Sequence, residues 1–210
     1  MATRALNVGY HILGDTGASA QEARTVVSGT PNGVGGNQNN AMQYFQSSGR
    51  GGGTFRYTRV FLNFDTSGIS NLDPTTPIKL KVGGVGNDDT QVYAVKSTHS
   101  TPIAASGDDF NNLDFEAQYS GETDWSTSVN EIILNSFAIS DISNQNSFNV
   151  ALILKDDLLN TETPLEEDGD LACGVDFTDI ELEYTLRVLI VPSIKLTSGK
   201  VKITSGKIII

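Results

Sequence analysis

The fold is decided by the stretch Arg56-Tyr-Thr-Arg-Val-Phe-Leu-Asn-Phe-Asp65-Thr-Ser-Gly-Ile69. Its centre, Val60 to Phe64, is almost unbroken in apolar character, which is typical of a strand covered on both faces. The apolar run stops at Asp65-Thr-Ser-Gly68, whose short side chains hydrogen-bond their own backbone and turn the chain. Asp65 is therefore interpreted as a turn-forming residue and not as a catalytic acid.

Short segments of strand character follow, separated by clusters of Gly, Pro, Asn and Asp. Ile78-Lys-Leu-Lys-Val82 alternates apolar and polar residues, and Gln91-Val-Tyr-Ala-Val95 follows a Gly-Asn-Asp-Asp turn. The pattern predicts an all-β protein. Residues 129–143 hold the best candidate for a helix, but Asn, Ser and Asp dilute its periodicity. We therefore expect a strand there, followed by one short turn of helix at most.

These segments, together with the later Asp124-Trp-Ser-Thr-Ser128, resemble a β-sandwich module of bacteriophage structural proteins and of some bacterial surface and carbohydrate-binding proteins. The pattern of that module is Arg-x-Phe-Leu-x-Phe-Asp-Thr-Ser-x-Ile. The resemblance extends from about Arg56 to Val191, about two thirds of the chain. It implies an antiparallel β-sandwich of jelly-roll type. It is more specific for the fold than for a function, because one fold serves many functions.

Three regions are expected along the chain. Residues 1–55 would supply one or more N-terminal strands and a flexible Gly/Asn-rich arm, all belonging to the sandwich, with a long loop over Gly29 to Asn40 and a candidate strand over Ala41 to Phe45. Residues 56–191 would form the sandwich itself, and residues 192–210 a C-terminal tail of short strands. The residues predicted to be largely buried are Val60, Leu62, Phe64, Leu80, Val82, Val92, Val95, Leu152, Leu182 and Tyr184.

The tail contains a seven-residue repeat, in which Ile194 to Lys200 is followed by Val201 to Lys207 and then by three isoleucines. Its period-2 alternation, with Ser-Gly at each joint, predicts short strands joined by tight turns. Such strands cannot bury their apolar residues alone. The tail is therefore a candidate assembly element, which could dock on its own sandwich or on a neighbouring subunit. The candidate partner-binding residues are Ile194, Leu196, Val201, Ile203, Ile208, Ile209, Ile210, Lys195, Lys200, Lys202 and Lys207.

The net charge of −11 is unevenly distributed. Residues 188–210 carry four lysines and no acidic residue, whereas the remaining chain carries ten basic and 25 acidic side chains. An acidic body opposes nucleic-acid binding and favours solubility, while a basic tail favours an acidic partner surface. The single Cys173 excludes an intrachain disulfide and suits a reducing cytoplasm. The chain shows neither a signal peptide nor a membrane span, so we expect synthesis in the host cytoplasm and a final location in the virion.

Residues with catalytic chemistry are scarce in the sequence. His11 and His99 lack partners at metal-ligand spacing and are predicted to be polar loop residues, so we expect no catalytic residue, cofactor or resident metal. Glu166 to Asp170 and Asn87 to Asp89 could offer oxygen ligands to calcium, the alternative being solvated acidic loops. Trp125 is the candidate ligand-facing aromatic, with core packing as its alternative.

These observations predict a non-enzymatic virion structural protein of a tailed bacteriophage. The expected role is that of a capsid-decorating (cement) or head-fibre subunit that forms a homo-oligomer and binds assembled coat protein. The alternative is a carbohydrate-binding or adhesion module of a phage tail or receptor-binding fibre, with a glycan as its ligand. A decorating protein would bind assembled shells in a fixed ratio and ignore free glycans.

Overall fold

The structure is a computed structural model, and it describes residues 1–32, 37–47, 53–87, 90–104, 106–160, 169–187, 189–197 and 200–208. The strands are β1 (Ala2–Ala5), β2 (Val8–Gly14), β3 (Gly29–Asn32), β4 (Asn37–Ser47), β5 (Thr54–Asp65), β6 (Lys79–Asn87), β7 (Gln91–Ser97), β8 (Leu113–Gln118), β9 (Thr123–Asp124), β10 (Val129–Ile133), β11 (Ser147–Leu154), β12 (Gly169–Tyr184), β13 (Leu189–Thr197) and β14 (Lys200–Ile208). The helices are α1 (Ala20–Thr25), α2 (Ser136–Asn144) and α3 (Lys155–Leu159), with a 3₁₀ turn at Asp108–Asn111.

The protein is mostly β and antiparallel, as the sequence predicted. Eight strands follow the order β10-β6-β12-β4-β5-β11-β7-β8 and curl strongly into a half-barrel. Strands β1, β2, β3 and β9 pair beside this path, which gives a sheet of twelve strands in the described part of the chain. The register of β12 against its neighbours shifts between Cys173 and Ile180. Such irregularities bend a strand and increase its local twist, which helps the sheet to curl.

Strand β5 is the centre of the sheet and the point where it divides. Thr58 pairs with Leu13 of β2 on one edge and with Gln43 of β4 on the other. From Val60 onward that second edge pairs with β11 instead of β4. Two sections of sheet therefore diverge from one strand, and β5 is buried continuously from Tyr57 to Phe64. This arrangement confirms the prediction of a strand covered on both faces.

The predicted core is confirmed. All ten residues named above are buried, and they belong to one continuous hydrophobic cluster. The turn after β5 is confirmed as well, because the Asp65 carboxylate accepts a hydrogen bond from the Ser67 backbone N–H at 2.9 Å. The hydrogen bonds of Ser67, from its side chain first and from its backbone second, hold the pKa of Asp65 below its usual value. Asp65 thus serves the turn, as its position in the sequence indicated.

The prediction of a long loop over Gly29 to Asn40 is wrong in the described residues. Gly29–Asn32 forms β3, and β4 begins at Asn37 rather than at Ala41. The polar start of β4 is held by main-chain pairing with β12, in which Asp176 faces Asn37 and Val175 faces Gln38. Residues 33–36 and 48–52 lie outside the described part of the chain.

The helix after β10 is longer than expected. Residues 136–144 form α2, about two and a half turns instead of one at most. Asn135 is its N-cap, and its side chain accepts hydrogen bonds from the backbone N–H groups of Phe137 and Ala138. Ala138 and Ile142 are buried beneath the helix. In the described part of the chain no helix has the length and apolar character needed to cross a membrane.

Both histidines are buried, and the prediction of a loop residue is wrong for His11 but correct for His99. His11 lies within β2, and burial lowers its pKa. His99 follows β7, stands edge-on to the Phe61 ring at 5.4 Å and is 2.8 Å from Ser97 Oγ through Nδ1. Burial lowers the pKa of His99 to about 4, although the negative charge of Asp109 opposes this effect. Both imidazoles therefore belong to the packed interior.

Candidate assembly surface

The C-terminal hairpin, β13 and β14, forms a two-stranded antiparallel sheet separate from the twelve-stranded one. Its nine cross-strand pairs run from Leu189 opposite Ile208 to Thr197 opposite Lys200. Tight turns were predicted at both Ser-Gly joints of the repeat. Only the joint at residues 198–199 lies between the two strands, whereas Ser205 and Gly206 lie within β14. The hairpin also begins at Leu189, three residues before the expected boundary of the tail.

The register of the hairpin gathers apolar residues on one face. Residues directly opposite each other in an antiparallel pair share a face, and successive residues alternate between faces. Ile194 is opposite Ile203, and Leu196 is opposite Val201. Pro192 and Ile190 continue the same face towards the base of the hairpin. We call these positions the apolar face. They include four of the predicted partner-binding residues.

The opposite face of the hairpin carries the positive charge near its tip. Lys195 is directly opposite Lys202, and Lys200 is opposite Thr197. Like charges placed opposite each other in a sheet are unfavourable. An acidic partner would remove that penalty, so we call these positions the basic face. Two residues depart from this separation. Lys207 is opposite Ile190, in register with the apolar face. Ile208 is opposite Leu189, on the same face as the three lysines.

The base of the hairpin is attached to the end of the large sheet. The Thr185 carbonyl accepts a hydrogen bond from the Asp73 backbone N–H at 2.8 Å, and the Arg187 backbone N–H donates to the Asn71 carbonyl at 2.7 Å. Leu186 forms a bridge with Leu72 between these bonds. The chain is thus held against the 71–73 loop until one residue before the hairpin begins.

Three exposed apolar side chains occur on the terminal strand β10 and on the helix that follows it. Strand β10 is the terminal strand of the path, and Val129 and Ile133 on it are 47% and 58% exposed. Phe137, in the first turn of α2, is 69% exposed. We call these three residues the β10 patch. Ile133 pairs with Lys79, which pairs in turn with Glu183 near the end of β12. The patch therefore lies two strands from the base of the hairpin.

Ion pairs cover the sheet surface between the patch and the hairpin base. Lys79 Nζ lies 2.6 Å from Glu131, and Lys81 Nζ lies 2.6 Å from Glu183 and 3.6 Å from Glu181. The hydrogen bond from Lys79 lowers the pKa of Glu131. The hydrogen bond to Glu183 raises the pKa of Lys81. Three carboxylates against two ammonium groups leave this surface with one excess negative charge.

The predicted site residues are only partly brought together. Ile194, Leu196, Val201 and Ile203 share the apolar face, and three of the four predicted lysines share the other. Ile209 and Ile210 lie outside the described residues. Sequence reasoning missed the β10 patch. The alternation of Val129-Asn-Glu-Ile-Ile133 predicts a strand, but only the pairing of β10 with β6 shows that Val129 and Ile133 occupy its exposed face.

Trp125 is buried in the core, which confirms the alternative of core packing and not the candidate role as a ligand-facing aromatic. Its indole Nε1–H donates to the Gly174 carbonyl at 3.1 Å, and its backbone N–H donates to the Thr90 carbonyl. A cleft of about 340 Å³ lies beside β2, lined by Leu6, Asn7, Val8, Gly9, Tyr10, Phe177 and Thr178. Its two aromatic residues are half-buried and buried, respectively. The cleft therefore lacks the exposed aromatic platform on which sugars stack.

The buried Asp109 carboxylate is the centre of a hydrogen-bond cluster that joins the loop residues around it. The Asp109 carboxylate accepts hydrogen bonds from the Ser100 backbone N–H, the Ala104 backbone N–H and the Asn112 side chain, at 2.7 to 2.8 Å, and also from the Ser100 hydroxyl. Burial opposes ionisation of Asp109, but these hydrogen bonds outweigh it and its pKa is lowered. His99 contacts Ser97, not Ser100. Ser100, His99 and Asp109 therefore do not form a catalytic relay.

Among the side chains that the structure describes, no group of three or more His, Cys, Asp or Glu residues could hold a metal ion. Most of the two candidate calcium segments, residues 166–168 and 88–89, lies outside the described residues. Asp170 is described, and its carboxylate accepts a hydrogen bond from the Gln43 amide at 2.7 Å.

Comparison of the chain with protein-family models and with curated proteins gave no match.

Proposed function

We propose that this chain is a non-enzymatic structural subunit of a tailed-bacteriophage virion, either a capsid-decorating protein or a head-fibre subunit. In this proposal the curled sheet is an antiparallel β-sandwich of jelly-roll type, and the hairpin is the element that joins the subunit to the particle. The proposal rests above all on the hairpin, an amphipathic two-stranded sheet that stands outside the main sheet of its own chain.

A hairpin of two strands is marginally stable in water and needs another surface for its apolar face. In the part of the chain that the structure describes, the main contacts of its two strands are with each other. The basic face adds a second requirement, because Lys195 opposite Lys202 is stabilised when a carboxylate approaches both. A coat protein with an acidic surface would satisfy that requirement. The phage-module resemblance in β5 supports the same class of protein.

The mechanism is stabilisation by mass action. A subunit that binds only the assembled shell lowers the free energy of that shell relative to its separate coat proteins. No bond is made or broken in the coat protein. The ion pairs between the basic face and the shell would also speed the encounter of subunit and shell, and this contribution decreases as salt screens the charges.

The test is co-sedimentation of the purified full-length protein with assembled shells of the phage that encodes it. We expect saturable binding at a fixed ratio of subunit to coat protein. Lys195→Gln/Lys202→Gln should weaken binding at low salt by about tenfold, since each exposed ion pair contributes up to about 1 kcal/mol. The matched control is Lys79→Gln/Lys155→Gln, which removes the same charge from the body and should bind normally.

Three results would count against this function. One is a full-length protein that stays in the supernatant with every form of the particle. Another is an equal loss of binding in the two lysine pairs, which would show that total charge matters and the basic face does not. The third is binding of free glycans by the isolated protein, which would favour the adhesion module instead.

A further inference from the structure

We propose that acid releases the loop between β7 and β8 from the sheet while the rest of the protein stays folded. The described residues of this β7–β8 loop are 98–104 and 106–112, and His99 near its start is the group that takes up the proton. None of these residues belongs to the C-terminal hairpin, so the acid response is independent of the proposed function. Release of the loop exposes apolar residues that are covered at neutral pH.

The β7–β8 loop is a closed unit with hydrogen bonds of its own. Its two ends meet where the Thr98 backbone N–H donates to the Asn112 carbonyl at 2.9 Å. Inside the loop, the Asp109 carboxylate accepts hydrogen bonds from other loop residues, namely Ser100, Ala104 and Asn112. Compact loops whose ends lie close together form self-contained units, and such units can open without unfolding of the whole protein.

The loop covers apolar residues on one face of the sheet. The ring of Phe61 on β5 is fully buried and lies 5.4 Å from the imidazole of His99. Ile103 and Phe110 are buried as well, and they belong to the loop itself. Hydrogen bonds from Arg59 and Asn149 on the sheet reach the carbonyl oxygens of Phe110 and His99, at 2.9 and 3.4 Å. These contacts, together with the apolar packing, are what the open loop gives up.

The hydrogen bonds around His99 determine which of its ring nitrogens takes up a proton. The Ser97 hydroxyl has one proton, and it donates that proton to the Asn112 carbonyl at 2.9 Å. The same oxygen lies 2.8 Å from Nδ1 of His99, so it accepts there and Nδ1 carries the ring proton. Nε2 is therefore the basic nitrogen. Its protonation places a positive charge and a further donor on a side chain that is buried by the loop.

The charged groups around the imidazole are already engaged, among the residues that the structure describes. Asp109 is the charge that favours the imidazolium, but its carboxylate already accepts the loop hydrogen bonds described above. Arg59 on β5 is itself positive and is bonded to Asp157. Lys96 on β7 faces the other side of the sheet, where it lies 2.8 Å from Asp141, and β11 carries no ionisable side chain. The closed loop therefore favours the neutral imidazole.

The direction and size of the acid response follow from the two states of His99. In the open loop the imidazole returns to water, where its pKa is about 6.5. In the closed loop burial lowers the pKa to about 4, against the opposing charge of Asp109. The open form therefore binds more protons between these values. The ratio of open to closed loop should rise by up to about tenfold per pH unit, and by up to about 300-fold in total.

The first experiment compares the labelling of two buried thiols in the full-length protein. Ile103→Cys places a thiol in the loop, and the native Cys173, buried in β12, reports unfolding of the whole sheet. Dithiodipyridine, which reacts with thiols at acidic pH, is added at a series of pH values, and each rate is divided by that of the urea-unfolded protein. Labelling at position 103 should increase by up to about 300-fold between pH 6.5 and 4, while Cys173 stays protected.

The second experiment repeats this labelling in two histidine variants. His99→Gln removes the titrating group, and the labelling at position 103 should then lose most of its pH dependence. The matched control is His11→Gln. His11 is also buried with a lowered pKa, but it lies in β2, so its replacement should leave the pH dependence at position 103 unchanged.

Hydrogen exchange of the wild-type protein gives a test that needs no variant. After correction for the pH dependence of the chemical exchange rate, the amides of Thr98 and Ala104 should lose protection as the pH falls below 6.5. Amides in the centre of β5 and β11 should keep their protection. This measurement decides the matter if His99→Gln does not fold, which labelling of Cys173 at neutral pH would reveal.

Three results would overturn the acid response. Equal increases in labelling at position 103 and at Cys173 would show that acid unfolds the whole sheet. Labelling at position 103 that does not change with pH would show that the loop stays closed. The same pH dependence in folded His99→Gln as in its parent would show that another group takes up the proton. None of these results bears on shell binding, so failure of loop release is distinct from failure of the virion role.

Discussion

Replacing Asp157 with Asn should be one of the most destabilising single substitutions in this protein. Asp157 and Arg59 form an ion pair in which the two side chains are 1% and 0% exposed. Arg59 Nε donates to Oδ2 at 2.6 Å, and Nη2 donates to Oδ1 at 2.8 Å. The remaining donors of the guanidinium reach the carbonyl oxygens of Phe110 and Arg24 at 2.9 Å. Among the described residues, Asp157 is thus the charged group that is bonded to this buried cation.

The magnitude follows from what the substitution leaves behind. Asparagine keeps one acceptor oxygen but places an NH₂ group where the second oxygen stood, so a donor faces a donor and the Arg59 charge loses its counter-charge. Removing one partner of a buried ion pair costs about 3–5 kcal/mol. The double substitution Arg59→Met/Asp157→Leu should cost less than Asp157→Asn, because the fully buried Arg59 charge is then removed together with its partner. Arg24, whose Nε lies 3.6 Å from Asp157 and whose side chain is 15% exposed, loses the same carboxylate in both variants.

The assay is urea unfolding followed by fluorescence, with the free energy of unfolding extrapolated to zero denaturant. The matched control is Glu131→Gln, which breaks the Lys79–Glu131 pair. That pair has the same 2.6 Å separation, but its side chains are 27% and 48% exposed. The control should lose less than about 1 kcal/mol. If both variants lose the same free energy with unchanged m-values, burial does not decide the strength of these pairs and the reasoning is refuted.

Three further predictions concern the core, the turns and pH. Phe64→Ala should lower the free energy of unfolding by about 3–5 kcal/mol, because Phe64 is fully buried and leaves a cavity; an unchanged denaturation midpoint would contradict its central position. Gly107→Ala should be clearly more destabilising than Gly68→Ala. Both residues have positive φ, which costs about 1–2 kcal/mol, but an added Cβ would lie 2.0 Å from the Gly29 carbonyl at position 107 and meets nothing within 4 Å at position 68. Equal melting temperatures of the two variants would contradict the close contact. His99 has a pKa of about 4 in the folded protein and about 6.5 when unfolded, so the unfolded state binds more protons between these values. Stability should therefore decrease by up to about 3 kcal/mol as the pH falls from 6.5 to 4, and His99→Gln should reduce this slope in unfolding measurements at several pH values. A variant with the wild-type slope would refute the role of His99.

The central strands were predictable because their signal is local. The apolar run of β5 and the alternation in β6 and β7 each lie within a few residues, and the Asp65 turn follows directly from its sequence. Strand β4 was predicted too short because its first residues are polar and mostly exposed, so no periodicity marks them. They are in a strand because β12 offers a hydrogen-bonding edge, and the sequence around β4 holds no information about that edge.

The helices show how a local signal can be present and misinterpreted. Asn135 was counted as a residue that weakens a helix, yet it caps α2 from outside the helical segment. The pattern Ser19-x-x-Glu22 is a helix N-terminus signal, and the Glu22 N–H does donate to the Ser19 hydroxyl at 3.2 Å. Helix α1 has six residues, too few for a periodic pattern. In both cases the cap was the better indicator, because it depends on position and not on helix propensity.

The hairpin was predictable in kind but not in register. Its two Ser-Gly joints are identical in sequence, so the chain on either side of each joint decides which one separates the strands. A turn at residues 198–199 lets the segment from Leu189 onward pair nine times with the segment that ends at Ile208. This ladder draws Leu189 to Val191, which lie outside the repeat, into the hairpin. The same register places Ile194 opposite Ile203 and Lys195 opposite Lys202. The separation of apolar and basic faces therefore depends on the choice of turn, and the repeat alone does not determine it.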